Sequence, residues 1–288
     1  MVYPAVEMID IRQSVLYANY LKRNGWMVER IGEINYFIKK LPLIGSVLKI
    51  QRPKKIDFKE IEKLAKKYRV FQIILEPELT SDFATGIHNS LISRGFGLSK
   101  NPYLPTKTLH LNLTKPPVFE KETRRAIQKG SETTIKEYSS LDEIRTWRDA
   151  WKNSVKFTRF VPPTDQLINL RKSFPYDNSI FLASHNMSGR IIGGALFTRS
   201  SHDFGYYWYG FTNKEGRTSL SQYALLYQGI LWAKRQDCKF FDFEGIYDPR
   251  FPNKSWLGFS HFKKSFGGYR VSYPGCFTKY NIFAAIGL

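Results

Sequence analysis

Apolar positions recur along this chain in two rhythms, one helical and one extended, and the rhythm switches often. Residues 11–24 place Val15, Tyr17, Ala18 and Leu21 at roughly helical spacing, and Gly25 is placed to end that helix. Residues 26–31 and 34–39 predict a strand pair turning at Gly32, and residues 47–51 a third short strand. Asp57 opens the next helix as its N-cap, and Ile61, Leu64 and Ala65 carry it to Tyr68. The β-branched and aromatic run 70–76 predicts a buried strand, which Pro77 ends. A helix over 83–93 stopping at Gly95, an alternating strand over 108–113 and a basic helix over 120–129 ended by Gly130 follow.

The alternation then starts again. Residues 133–138 predict a strand, 141–155 and 164–174 helices, and 180–185, 191–198 and 205–211 three strands. A long helix over 219–236 sets Leu220, Tyr223, Tyr227, Ile230 and Leu231 on one face, and a strand over 239–244 follows it. Ala65-Lys66-Lys67 ends a helix whose next strand closes on Glu76. Ala233-Lys234-Arg235 ends a helix whose next strand closes on Glu244, over a span of the same length. The pattern predicts an α/β (α+β) chain built by duplication, with halves at 1–115 and 131–288 joined through 116–130. Two similar modules are expected to leave a cleft between them, a usual place for a ligand.

Composition narrows the function. Hydrophobic residues make up 42% and aromatics 16% of the 288 residues, enough for a packed core and against disorder. Lys and Arg number 44 against 25 Asp and Glu, a net charge of +19 spread along the chain. Such a field attracts nucleic acid, anionic headgroups or phosphorylated substrates; a surface kept basic for solubility has the same composition. The two cysteines, Cys238 and Cys276, form no Cys-x-x-Cys pair and predict a reducing compartment. No signal-peptide pattern opens the chain and no apolar run nears the ~18 residues of a membrane span, so a soluble cytoplasmic protein is expected. The apolar run 280–288 suits a docked terminal segment or the cut end of a longer chain. The phosphate-binding loop, the His-Glu-x-x-His pair and the Gly-x-Ser-x-Gly elbow are all missing, and Arg94-Gly95-Phe96-Gly97 lacks the full dinucleotide pattern. Histidines 88, 110, 185, 202 and 261 are scattered and read as surface or core residues, so no metal site is predicted.

One stretch stands apart. Phe241-Asp242-Phe243-Glu244-Gly245-Ile246 sets acidic residues where a strand emerges, a favoured site position in α/β sheets. A short helix beginning near Trp256 would carry aromatics at 256, 259 and 262 on one face, with Lys263 beside it; a core face with solvated lysines fits the same spacing. The succession Asp242-Phe243-x-Gly245-Ile246, Trp256-x-Gly258 and Phe262-Lys263-x-x-Phe266-Gly267-Gly268 resembles the Fem (FemABX) family of aminoacyl-tRNA-dependent peptidoglycan transferases. Arg12-Gln13-Ser14 with Leu21-Lys22-x-Asn24-Gly25-Trp26 is similar to the family's opening helix. Thr108-Leu109-His110-Leu111-Asn112-Leu113 and Thr123-Arg124-Arg125-Ala126-Ile127-x-Lys129-Gly130 are similar to its link between halves. The resemblance covers nearly the whole chain and is most specific in its final segment.

That resemblance implies two acetyltransferase-like (GNAT-like) domains in tandem. It implies transfer of an amino acid from aminoacyl-tRNA to an amine on the stem peptide of a peptidoglycan precursor, UDP-MurNAc-pentapeptide or lipid II. No cofactor is implied. The expected protein is a monomer at the inner face of the membrane, with peripheral contact. Phe262 and Lys263 match the family's catalytic pair: an amine attacking an ester builds negative charge on the carbonyl oxygen, which a fixed ammonium stabilises. Because the acyl group arrives as an ester, no side-chain nucleophile is needed. Lys22 and Asn24 match a Lys-x-Asn pair contacting the precursor's diphosphate and sugar, and Arg159 a precursor-binding arginine. Tyr207 and Tyr209 are placed to line the same cleft, or equally to pack within a strand. Arg124, Arg125 and Lys129 suit tRNA phosphates, or equally a solvated face. The chain departs from some members in lacking a coiled-coil arm, and the link over 116–122 is short. An acyl-CoA N-acyltransferase on the same scaffold would want a glycine-rich phosphate-cradling loop, which the sequence lacks. A non-catalytic basic module binding RNA or membrane would rest on charge alone.

Overall fold

A computed structural model describes residues 9–78, 84–156, 159–201 and 203–281. The first eight residues, Phe83 at the expected start of a helix, Phe157, Thr158, His202 and the apolar end after Asn281 lie outside the described residues. In chain order the elements begin with α1 (Val15–Arg23), β1 (Met27–Ile31), β2 (Ile34–Leu41), β3 (Gly45–Gln51), α2 (Phe58–Lys67), β4 (Val70–Glu76), α3 (Ala84–Ser93), β5 (Gly97–Leu98) and β6 (Lys107–Asn112). They continue with α4 (Lys121–Gly130), β7 (Thr134–Tyr138), α5 (Leu141–Ser154), α6 (Thr164–Ser173), β8 (Ser179–His185), β9 (Ile191–Arg199) and β10 (Phe204–Thr212). The last are α7 (Lys214–Thr218), α8 (Ser221–Arg235), β11 (Phe240–Asp242), α9 (Leu257–Lys264), β12 (Tyr269–Ser272) and β13 (Phe277–Tyr280).

The chain divides into two compact units: Met1–Lys107 with Tyr247–Lys254 and Val271–Leu288, and Thr108–Ile246 with Ser255–Arg270. The first unit holds a six-stranded sheet in the order β1-β2-β3-β4-β13-β5. Strands β1, β2 and β3 form an antiparallel meander, and α2 carries the chain over to β4, parallel to β3. Asp57 caps α2 by accepting the Glu60 N–H at 3.0 Å, as its short polar side chain predicts. The second unit holds a seven-stranded sheet in the order β12-β6-β11-β10-β9-β8-β7. Its meander, β7 to β10, is followed by α7 and α8 and then β11, parallel to β10.

The two units share one plan, as the repeat in the sequence predicts. In each, a meander leads through a helix to a parallel strand, and a further helix and short edge strand follow (α3 and β5, α9 and β12). The strand between the last two is exchanged. In the first unit it is β13, antiparallel to β4 with Phe277 opposite Leu75. In the second it is β6, antiparallel to β11 with Asn112 opposite Phe240. Main-chain hydrogen bonds thus assign residues 277–280 to the first unit, which differs from the expected division into 1–115 and 131–288. Helix α4 is no separate link. It packs on α8 within the second unit, with Thr123, Ile127 and Gly130 as its buried residues.

The long helix also differs from its pattern. Leu220 has a left-handed backbone (φ 58°) and separates α7 from α8. Ala224, Leu225, Leu226, Ile230 and Trp232 are fully buried, whereas Tyr223, Tyr227 and Leu231 are half-buried. Helix α8 lies between α4 and the sheet, so most of its circumference is covered and a single apolar face was the wrong pattern to expect. Among the described residues α8, with 15 residues, is the longest helix. None is long and apolar enough to cross a membrane.

Candidate active site

Strands β10 and β11 pair only as far as Tyr206 and Asp242. Beyond that point β10 continues to Thr212 while the other strand turns away, and the two separate. The register of β10 against β9 slips between Tyr207 and Tyr209, so Trp208 is the extra residue of a bulge. A bulge beside a strand separation re-aims side chains and frees backbone groups from the ladder, an arrangement common next to active sites.

The turn that leaves β11 is built by Asp242. Its Oδ1 accepts the Glu244 N–H at 2.7 Å and the Thr108 hydroxyl at 2.5 Å, and its Oδ2 lies 3.2 Å from Nε2 of His110. Thr108 Oγ1 in turn accepts the Gly245 N–H at 3.1 Å. Glu244 and Gly245 are held at φ 54° and 100°. A glutamate in the left-handed region is strained by its Cβ, and such strain gathers at functional sites. Its product here is a pair of carbonyl groups aimed at one spot, which Lys263 fills. Nζ donates to Glu244 O at 3.2 Å and to Gly245 O at 2.8 Å. The ring of Tyr207 lies 5.4 Å from Nζ, within cation–π range. Tyr207 is itself fixed, donating its hydroxyl to Gln222 Oε1 at 3.0 Å. Gly210 makes room for it, since a Cβ there would fall 2.0 Å from that hydroxyl.

Helix α9 delivers the lysine. Its buried positions are Ser260 and Lys263, the latter 9% exposed, whereas Phe259 is exposed and Phe262 half-buried. The inward face is therefore not the expected aromatic 256/259/262 face. Phe262 meets Tyr223 edge-on at 4.9 Å and Phe266 at 5.7 Å, and so seats the helix on the core. Gly267 and Gly268 follow at φ 79° and 92°, and a Cβ on Gly268 would strike His110 O at 2.7 Å. The Gly-Gly pair thus lets the chain pass close over β6.

Burial pulls the Lys263 ammonium down to about 8, against the attraction of Glu244 and Asp242. At neutral pH it is still largely charged. Burial works against ionisation of Asp242, but His110 and the hydrogen bonds from His110, Thr108 and the Glu244 N–H outweigh it and hold the carboxyl at about 2. Cys238 and Cys276 are buried and unbridged; burial pushes both thiols up to about 12, so neither is an activated nucleophile.

The remaining expected residues fall in three places. Tyr209 follows the bulge and packs on Trp151 at 5.2 Å. Arg159 is exposed, its guanidinium 5.6 Å from the Phe259 ring on α9. Arg124, Arg125 and Lys129 are exposed on the outer face of α4, with Arg125 3.7 Å from Glu122. The Thr123 hydroxyl donates to Ser265 O at 2.8 Å, tying that helix to the end of α9. Lys22 and Asn24 belong to the first unit. Lys22 is exposed in the last turn of α1, and the Asn24 side chain caps the helix through Tyr20 O at 2.7 Å. The sequence reading missed Thr108 and His110 as parts of the site. Their signal was the alternation on β6, which sets both on one face, across from Asp242. Among the described residues no group of three or more His, Cys, Asp or Glu is placed to hold a metal ion.

The fold is that of two acetyltransferase-like (GNAT-like) units in tandem, with a buried lysine at the strand separation of the second. No family model and no curated protein matches the sequence. Among solved structures, FemX matches with a TM-score of 0.77 and 17% identity, over 95% of this chain and 93% of that one. The C-terminal domain of a putative lysylphosphatidylglycerol synthetase from Agrobacterium fabrum matches with a TM-score of 0.60 and 12% identity, over 96% and 91%. A GCN5-related N-acetyltransferase from Kribbella flavida reaches 0.50 with 11% identity, over 94% and 95%. The chain has the Fem-like fold, two GNAT-like units in tandem.

Proposed function

We propose that this protein is an aminoacyltransferase that moves an amino acid from aminoacyl-tRNA to an amine on the stem peptide of a peptidoglycan precursor. The observation that carries the reading is Lys263: a buried ammonium at a strand separation, held by two carbonyl groups that take two of its three N–H donors. In the reaction the acceptor amine attacks the ester carbonyl carbon. The oxyanion that forms takes the third Lys263 N–H. The bond to the ribose oxygen of the tRNA then breaks, the amide remains, and the amine's proton leaves with the ribose oxygen or to water. Lys263 keeps its proton throughout and stabilises charge only where the transition state builds it. Tyr207 and the Asp242 turn position the ammonium, and Phe262 seats the helix. Arg124, Arg125 and Lys129 would meet donor phosphates beside α9, while Lys22, Asn24 and Arg159 would serve the acceptor. The likenesses to FemX and to a lysylphosphatidylglycerol synthetase support an aminoacyl donor.

The test is to incubate the protein with a set of charged tRNAs and either UDP-MurNAc-pentapeptide or lipid II. An amino acid carried onto the stem peptide by the wild type, and lost in Lys263→Ala with acceptor affinity kept, supports the proposal. Transfer from acyl-CoA in place of aminoacyl-tRNA would move the donor assignment, and no product with any charged tRNA sinks it.

A further inference from the structure

The hairpin between β2 and β3 ends in a tip that solvent does not explain. Leu41 pairs with Gly45, closing a three-residue loop of Pro42, Leu43 and Ile44. The Ile44 N–H bonds to Pro42 O at 2.9 Å around Leu43 at φ 70°, a γ-turn of the rare, strained kind. Leu43 is 99% exposed and Ile44 45% exposed. A leucine is therefore unfavourable here twice over. Its Cβ opposes the positive φ, where Gly would sit without strain and Asn with less than Leu, and its side chain meets only water. Met27, opposite Ile38 on the neighbouring strand, adds a further exposed apolar side chain at this end of the sheet.

Basic residues flank the tip. Lys40 pairs with Ser46 at the base of the hairpin, the Ser46 N–H bonds to Arg69 O, and the Arg69 N–H bonds to Lys66 O. The side chains of Lys40, Lys66 and Arg69 are exposed and have no acidic partner among the described residues. Lys67, nearby, is paired with Glu29 at 2.8 Å and counts for less. An apolar tip flanked by three unneutralised cations is complementary to a bilayer bearing anionic headgroups: acyl chains accept the leucine and isoleucine, and phosphates accept the cations.

We infer that the β2–β3 tip of the first unit docks on the surface of an anionic membrane, with Leu43 and Ile44 inserted at the headgroup boundary and Lys40, Lys66 and Arg69 on phosphates. This surface is independent of the proposed chemistry and stands or falls separately from it.

Flotation of the full chain with vesicles of phosphatidylcholine, or of phosphatidylcholine mixed with phosphatidylglycerol, tests it. The wild type is expected to float with the mixed vesicles and to leave them as salt rises. Leu43→Asn with Ile44→Ser is expected to lower partitioning at least about tenfold, with an unfolding midpoint no lower than wild type because Asn tolerates the turn. Lys40→Gln and Arg69→Gln are expected to lower it about fivefold each. Leu43→Trp should give a blue-shifted emission only with the mixed vesicles. Failure of the wild type to float, equal binding to neutral vesicles, or a double variant that floats like the wild type would overturn the inference. So would a concentration-dependent self-association that the double variant abolishes, since the occupant would then be a second copy.

Discussion

At the scale of single residues, the proposed chemistry rests on Lys263, and the burial of that ammonium sets its pH response. With the ammonium held near 8, below its ordinary 10.5, kcat/KM is expected to fall as pH rises through about 8, measured with aminoacyl-tRNA and precursor. Stability should move oppositely. Between about 8 and 10.5 the unfolded chain binds more protons at this lysine than the fold does, so stability rises with pH across that window, and urea unfolding in Lys263→Met should lose part of the rise. Lys263→Ala is expected to lower kcat by about 10²- to 10³-fold with KM nearly unchanged. Asp242→Asn removes the acceptor that shapes the 244–245 turn; it should lower kcat and leave the KM for donor and acceptor in place, since Asp242 acts through the lysine. The resemblance of Phe262-Lys263 to the Fem family's catalytic pair singled out Lys263 in the sequence, and what the fold adds is that this lysine is buried whereas Lys264 is exposed. The network behind it was not legible there. Thr108, His110 and Asp242 are far apart in sequence, and only the pairing of β6 with β11 makes them neighbours.

At the scale of elements, close helix packing rests on single missing methyl groups. A Cβ on Gly130, at the end of α4, would lie 2.5 Å from Leu220 O and 3.1 Å from the Ala224 side chain. Gly130→Ala is expected to destabilise the protein by about 1–3 kcal/mol through overpacking, read as a lowered urea midpoint with an unchanged slope. Most elements could be read from the sequence because local rules agree with the fold: Asp57 caps where it should, Gly25 follows α1, and alternation marks β6. The failures have a common cause in tertiary context. The left-handed Leu220 carries no sequence signal, since leucine is a good helix former forced out by packing. Strands β5, β12 and β13, of 2, 4 and 4 residues, are too short to show a period and exist because a neighbour offers hydrogen bonds.

At the scale of the whole molecule, the charge of +19 and the fold act together. The proposed function predicts an affinity for tRNA that falls steeply with salt. Replacing Arg124, Arg125 and Lys129 by Gln should reduce the slope of log affinity against log salt by about 0.7–0.9 for each phosphate left unneutralised. If all three face solvent only, the slope will not move. The exchange of β6 and β13 has a consequence for the order of events in synthesis. The sheet of the first unit lacks an inner strand until residues 277–280 have left the ribosome, so its N-terminal part waits half-finished while the rest is made. A nascent chain halted before residue 277 should be digested in its first hundred residues by a protease that the finished protein resists. Production of this protein thus depends on what shields an open β4 edge during translation.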